Sequence, residues 1–241
     1  MAYYPIFKSG RYSGRGDDAE KLVYGRGPFG FWPALPIGMQ KYSHYISACS
    51  YTAADWTETK TNSGSIAMVA AGLALANGVT DTNNTTAQML RGFTVAAGKH
   101  ATAMFRITLA NVAIQKAAFG FYLTGAAPIG IIPVSGAWFQ KSTTATGVIT
   151  GITTAASADQ TSATLATMTN GVAWDFCVTI NGTTNAQFWA KTAAAEDWGT
   201  PTTHTTKVAA GAMRFSLNTT AANSGGAATL LVPMMAVAWE E

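Results

Sequence analysis

Trp174-Asp-Phe-Cys-Val-Thr-Ile-Asn-Gly182, followed after Thr183-Thr-Asn185 by Ala186-Gln-Phe-Trp189, decides the fold. Side chains on a β-strand point alternately to opposite faces. Trp174 and Phe176 therefore share one face, and Asp175 falls on the other, where it is expected to meet solvent. Asn181-Gly182 between two apolar runs is the strongest hairpin signal in the chain, because Asn-Gly tolerates the positive φ angles of a type I′ turn. Thr183, Thr184 and Asn185 allow a longer loop. The Cys177 and Phe188 segments are thus expected to pair antiparallel.

Working outward, short strand candidates recur between clusters of Gly, Asn, Thr and Ser. They are expected at Met89 to Val95, Thr102 to Leu109, Phe119 to Thr124, Ala137 to Lys141, Gly147 to Thr153 and Ser162 to Thr167. Others follow at Ala173 to Ile180, Ala186 to Ala190 and Ala212 to Leu217, with a last pair around Ala228 to Trp239. Helix evidence is thin: Ala193 to Trp198 suits one turn, and Met68 to Ala76 is ambiguous. Many strands without helical periodicity predict an all-β fold, a two-sheet antiparallel sandwich of the jelly-roll type.

The first residues read differently. Between Met1 and Lys41 lie Lys8, Arg11, Arg15, Lys21, Arg26 and Lys41 against Asp17, Asp18 and Glu20, which accounts for the whole net charge of +3. The remainder balances nine basic with nine acidic residues. Pro5, Pro28, Pro33 and Pro36 oppose helix and central strand, yet Tyr3, Tyr4, Tyr12, Tyr24, Phe29, Phe31 and Trp32 are too many rings for a solvated tail. Residues 1–43 are therefore expected to form an extended, irregular, partner-docking arm before a sandwich body at 44–241. Phe29, Phe31 and Trp32 are its candidate anchors, and Arg11, Arg15 and Arg26 its candidate ionic contacts.

Composition narrows the function. Charged residues make up 11% of the chain, against roughly 25% in soluble domains, which favours a subunit covered by neighbours. A surface of small uncharged residues is the alternative. The basic residues form no dense run, so nucleic acid is not an expected partner. No apolar stretch is long enough to span a bilayer as a helix, and no secretory leader is read at the N-terminus. Cys49 and Cys177 match no zinc or redox spacing; buried free thiols are the simpler reading and one long-range disulfide the other. The sequons at Asn83, Asn84, Asn181 and Asn218 follow from the abundance of Asn and Thr.

Three segments carry a resemblance: Phe119-Gly-Phe-Tyr-Leu123, Gly136-Ala-Trp-Phe-Gln-Lys141, and the Trp174 to Trp189 hairpin. Together they resemble the concanavalin-like or LamG-like jelly rolls of bacteriophage structural proteins. There a strand of the type W-x-F-x-V-x-I-[ND]-G leads into one bearing an aromatic pair. A late strand, here Leu231 to Trp239, closes a sheet. The resemblance covers about 150 residues, from Arg91 to Trp239. It lacks the E-x-D-x-x-E carboxylates of the glucanase members and the acidic calcium loops of the laminin-type members.

No chemistry stands out. Glycoside hydrolysis needs two facing carboxylates, and Asp175 and Glu196-Asp197 offer no such pair. His44, His100 and His204 lack partners at metal-ligand spacing and read as dispersed surface residues. No G-x-S-x-G elbow is present, and Arg15-Gly16-Asp17 reads as a chance tripeptide. Trp138, Trp174, Trp189 and Trp239 read as packing rings, with sugar stacking as the alternative. Trp198, beside Asp197 in a loop, is the candidate ligand or partner contact.

No enzyme, cofactor or metal is expected. The sequence reads as a virion structural protein on the outer capsid surface. It is expected to be a cement or decoration subunit that docks on the major capsid protein and associates with itself as a homotrimer or homodimer. The alternative is a phage receptor-binding or fibre module that recognises host glycans.

Overall fold

The computed structural model describes residues 42–46, 51, 53–61, 63–78, 84–122, 133–142, 146–156, 158–221 and 228–239. Its strands are β1 (Tyr42–Ile46), β2 (Trp56–Lys60), β3 (Ser65–Val69), β4 (Gly72–Ala76), β5 (Asn84–Met89), β6 (Phe93–Val95), β7 (His100–Leu109) and β8 (Gln115–Tyr122). After them come β9 (Ser135–Lys141), β10 (Val148–Ala155), β11 (Ala158–Thr167), β12 (Ala173–Asn181), β13 (Asn185–Thr192), β14 (Thr202–His204), β15 (Gly211–Ala221) and β16 (Thr229–Trp239). One 3₁₀ turn, Ala53–Asp55, precedes β2.

Two sheets result. The first runs β14-β13-β12-β7-β16-β4-β3, with β1 also on β16; the second runs β11-β10-β9-β8-β15-β5-β2, with β6 on β15. Every pairing among the described residues is antiparallel. The expected all-β sandwich is therefore the observed one. β1 starts at Tyr42 and crosses the expected boundary between arm and body.

The inner faces meet in a cluster of phenylalanines. Phe105 and Phe176 from the first sheet pack on Phe119, Phe139 and Phe215 from the second, with ring centroids 4.9 to 5.9 Å apart. All five are buried. At roughly 2–3 kcal/mol of hydrophobic stabilisation per ring, plus favourable edge-to-face contacts, this cluster locks the sheets together and fixes which face of each strand points outward.

The expected hairpin is present: Cys177 pairs with Trp189, Val178 with Phe188 and Asn181 with Asn185. The turn differs. Thr184 N–H donates to Asn181 O at 3.0 Å, and Gly182 alone in the turn has positive φ, at 53°, so it is not type I′. A Cβ at Gly182 would lie 3.0 Å from Ala96 O, so the glycine also admits a neighbouring loop.

Other expectations are corrected. Met89 to Val95 is not one strand: it divides into β5 and β6 around Gly92, whose Cβ would sit 2.6 Å from Met213 O. Met68 to Ala76 contributes to the β3–β4 hairpin, with Leu73 and Leu75 driven inward. The expected pair around Ala228 to Trp239 is one long strand, β16, with a register shift between Leu231 and Met234. Pro233, which lacks an N–H, sits in that bulge, where a missing donor is tolerated.

Candidate functional site

With both inner faces filled, recognition chemistry in the described sandwich must come from the outer faces or the edges. On the outer face of the first sheet, Arg106 on β7, Asp175 on β12 and Lys191 on β13 stand in register as neighbours. Arg106 grips Asp175 through two hydrogen bonds, Nε to Oδ1 at 2.6 Å and a terminal N–H to Oδ2 at 3.0 Å. Lys191 Nζ lies 4.0 Å from Asp175 Oδ2 and donates to the carbonyls of Ala195 and Glu196. Its ammonium also sits 5.2 Å from the centroid of the Trp198 ring.

These contacts correct the sequence reading of Asp175 as solvent-facing: the residue is 1% exposed. Strand alternation placed it correctly opposite Phe176. The loop over residues 193–201 then folds across that face, so the face is not open to water. Trp198 is the lid of this arrangement, 8% exposed and packed in a cluster with Met104, Cys177, Trp189, Met234 and Ala236. Cys177 is a free buried thiol whose ionisation burial pushes far above the ordinary range. Cys49 lies outside the described residues.

The outer face of the second sheet is built from small, neutral and aromatic groups, with Arg214 at its margin. Register aligns them in rows: Thr154, Gly136, Tyr122 and Arg214, then Ile152, Trp138, Gly120, Ser216 and Gln88. The Trp138 ring lies over Gly136, where an added Cβ would come within 2.7 Å of it. Its indole N–H donates to Gln140 Oε1 at 3.1 Å, and its edge meets Tyr122 at 6.0 Å between centroids. In one row, the Thr154 hydroxyl has no hydrogen-bond partner, and the Tyr122 hydroxyl has only the Ser216 side chain nearby, outside good hydrogen-bond geometry. Tyr122 and Thr154 are fully buried and Trp138 is 1% exposed; Arg214, Gln140 and Thr150 form the half-buried margin.

At one side of the sandwich a histidine joins the sheets. His204 on β14 is 2% exposed, which corrects its reading as a surface residue. Its Nδ1 lies 2.9 Å from Thr153 Oγ1 on β10, and Thr153 donates onward to Thr206 O. That donation leaves the hydroxyl oxygen to accept from Nδ1–H, so Nε2 carries the lone pair, buried and without a partner. Burial holds this imidazole below its ordinary value. At another point between the sheets, Lys141 is wholly buried and donates to Gln115 O at 2.7 Å. Burial, then the nearby Lys116, lowers its ammonium to about 8.

Hydrolytic chemistry finds no support in these groups. Asp175 is bound to Arg106, Glu58 is hydrogen-bonded by Tyr51 and paired with Lys60 at 2.6 Å, and Asp159 accepts from Thr161. Among the described residues no three His, Cys, Asp or Glu side chains converge as a metal site. Trp138, Trp189 and Trp239 are packing rings, as expected, and Trp174 packs on the core from a half-buried position. The proposed docking residues Arg11, Arg15, Arg26, Phe29, Phe31 and Trp32 lie outside the described residues. The sequence missed the Arg106–Asp175–Lys191 group and the Thr154–Gly136–Tyr122 row, because both exist only once register is known.

No protein-family model matches this sequence, and no curated protein sequence matches it. Solved structures do resemble the fold. A Bacillus licheniformis β-glucanase superimposes with a TM-score of 0.56 at 10% identity, over 83% of this chain and 98% of its own. The CBM2 module of the evolved Dit of Lactobacillus casei BL23 phage J-1 gives 0.55 at 11% identity, over 83% and 97%. Peanut lectin gives 0.53 at 11%, over 83% and 97%. These likenesses place the chain among lectin-like jelly-roll sandwiches, a fold that hosts binding proteins and enzymes alike.

Proposed function

We propose that this chain is a non-catalytic structural subunit of a tailed bacteriophage particle. It would be a cement or decoration protein on the outer capsid surface, docking on the major capsid protein through its N-terminal arm. The observation that carries this reading is that the sandwich turns its strong chemistry inward. Asp175 is neutralised, Trp198 and Trp138 are buried, and the exposed strand positions are dominated by Ser, Thr and Ala. The densest aromatic run outside the sandwich is then the sequence Gly25-Arg-Gly-Pro-Phe-Gly-Phe-Trp-Pro33. An arm that orders on docking covers a large surface at the cost of its own entropy.

A second reading, recognition of host glycans by a receptor-binding module, draws on two observations. The fold neighbours include a phage carbohydrate-binding module and a lectin. Thr154 and Tyr122 in one row and Trp138 in the next also set hydroxyls beside an aromatic ring, all three buried, on the outer face of the second sheet.

Particles assembled with the full chain, a 1–40 deletion, Trp32→Ala or Arg15→Ala separate the readings by occupancy on purified heads. The deletion should abolish incorporation while the body stays folded. Trp32→Ala should weaken it more than Arg15→Ala, since a buried ring contributes about 2–3 kcal/mol and an exposed ion pair about 1 kcal/mol or less. Full occupancy by the deleted protein overturns the arm reading. Saturable binding of the body to isolated host polysaccharide would favour the adhesin.

A further inference from the structure

The geometry points to an interface: the free edge of β3 pairs antiparallel with β3 of a second copy, about a two-fold axis at Ala67, joining two sandwiches through one continuous sheet. A free sheet edge offers unpaired N–H and C=O groups, and natural proteins usually guard such edges. Six described strands pair on one side only: β6 is three residues long, β1 is bounded at both ends by residues outside the described set, and of the other four, three are guarded. β14 is three residues long. β11 is bent by two register shifts against β10, and its Gln160 is engaged by Thr206. β2 carries Glu58 and Lys60, paired with each other. β3, Ser-Ile-Ala-Met-Val, has no charge, no proline and an unbroken register with β4, and its exposure alternates along its length.

The register fixes which groups face outward. Val69 pairs with Gly72 across the two-residue turn Ala70-Ala71. Such a closing pair must exchange both backbone hydrogen bonds, and antiparallel ladders alternate. Val69, Ala67 and Ser65 therefore bond inward to β4, and Ile66 and Met68 direct their N–H and C=O groups to the open edge. Two copies placed antiparallel with Ala67 opposite Ala67 bring each Ile66 opposite the partner's Met68. All four outward groups of each strand are then satisfied. The same register puts Ala67 at the closely spaced, non-bonded pair, where small side chains fit, and Val69, 45% exposed, beside Ser65. No like charges face each other.

One five-residue strand pairing is smaller than a standard stable interface, so the contact should be weak in free solution and reinforced where copies are held together. This inference does not depend on the capsid reading, because an adhesin could use the same edge.

Sedimentation of the full chain should show mass rising with concentration from 25.1 kDa towards twice that value. Ala67→Lys places two ammonium groups across the axis on an exposed face and should hold the protein monomeric with unchanged melting. Thr203→Lys on the short edge strand β14 should leave association intact. Amide exchange provides a second measurement in the unaltered protein: Ile66 and Met68 should gain protection as concentration rises, and Ala67 should not. A wild-type protein that stays monomeric, association undiminished by Ala67→Lys, or exchange at Ile66 and Met68 independent of concentration would each overturn the interface.

Discussion

The two outer faces of this sandwich solve the same problem with opposite means. On the first sheet, polar burial is achieved with charge: Asp175 is held by Arg106 and flanked by Lys191, under the Trp198 ring. On the second, charge is confined to Arg214 at the half-buried margin, and burial is achieved with glycines that let Trp138 lie flat, leaving the Thr154 hydroxyl unbonded and the Tyr122 hydroxyl without a well-formed bond. The first face is chemically closed, with partners for its ions. The second retains unused hydrogen-bonding capacity. Any recognition by a sheet face of this molecule is therefore more readily built on the second sheet than on the first, even though the first contains the charges that attract notice in a sequence.

The comparison breaks most visibly at Asp175. Asp175→Asn keeps the shape but removes the anion, leaving Arg106 and Lys191 adjacent without a counter-charge. Removing one partner of a buried pair commonly costs 3–5 kcal/mol. Arg106 keeps 21% side-chain exposure, so about 3 kcal/mol is expected, read as the shift of a denaturant midpoint. Loosening of the 193–201 loop should accompany it as a change in Trp198 fluorescence. A loss below about 1 kcal/mol would mean that the first face is no more dependent on its charges than the second.

On the second face the corresponding weak point is steric. Gly136→Ala places a methyl within 2.7 to 2.9 Å of the Trp138 ring and of Phe121 O. Because the backbone oxygen belongs to the sheet, the ring is what must move, and with it the bond to Gln140. Overpacking of this kind costs about 1–3 kcal/mol. Near-ultraviolet circular dichroism should lose part of its tryptophan signal while far-ultraviolet spectra stay unchanged. An unaltered aromatic spectrum would show that the ring is not seated on the glycine.

Why one face was visible in the sequence and the other was not follows from what each depends on. The β12–β13 hairpin is legible because its signals are local: alternation around Trp174 and Phe176, and Asn-Gly at the turn. The same alternation placed Asp175 opposite Phe176, yet its burial depends on Arg106, 69 residues earlier, and on a loop that follows. Tyr122, Gly136 and Thr154 form a row only because three strands stack in one register. β2 and β3 escaped notice because Thr, Ala and Ser give little contrast between faces. The expected pair around Ala228 to Trp239 is one strand, β16, because the Leu231–Met234 irregularity is a bulge that leaves both halves on β7.

The smallest expected effect is the most informative about function. A buried hydroxyl without a partner costs about 1–3 kcal/mol of desolvation, and burial has already pushed the Tyr122 phenol above its ordinary ionisation range. Tyr122→Phe deletes that oxygen and retains the ring packed on Trp138. Stability should stay level or rise by up to about 1 kcal/mol, and Thr154→Val should behave alike in the same row. The opposite sign has a definite meaning. A loss of 1 kcal/mol or more on Tyr122→Phe would show that the hydroxyl is bonded in solution, by ordered water or by a bound molecule. If that loss appeared together with weaker binding of host polysaccharide, the second sheet would be a recognition surface and the adhesin reading would displace the cement reading. A gain would leave the face as inert packing and return the burden of recognition to the N-terminal aromatics and the β3 edge.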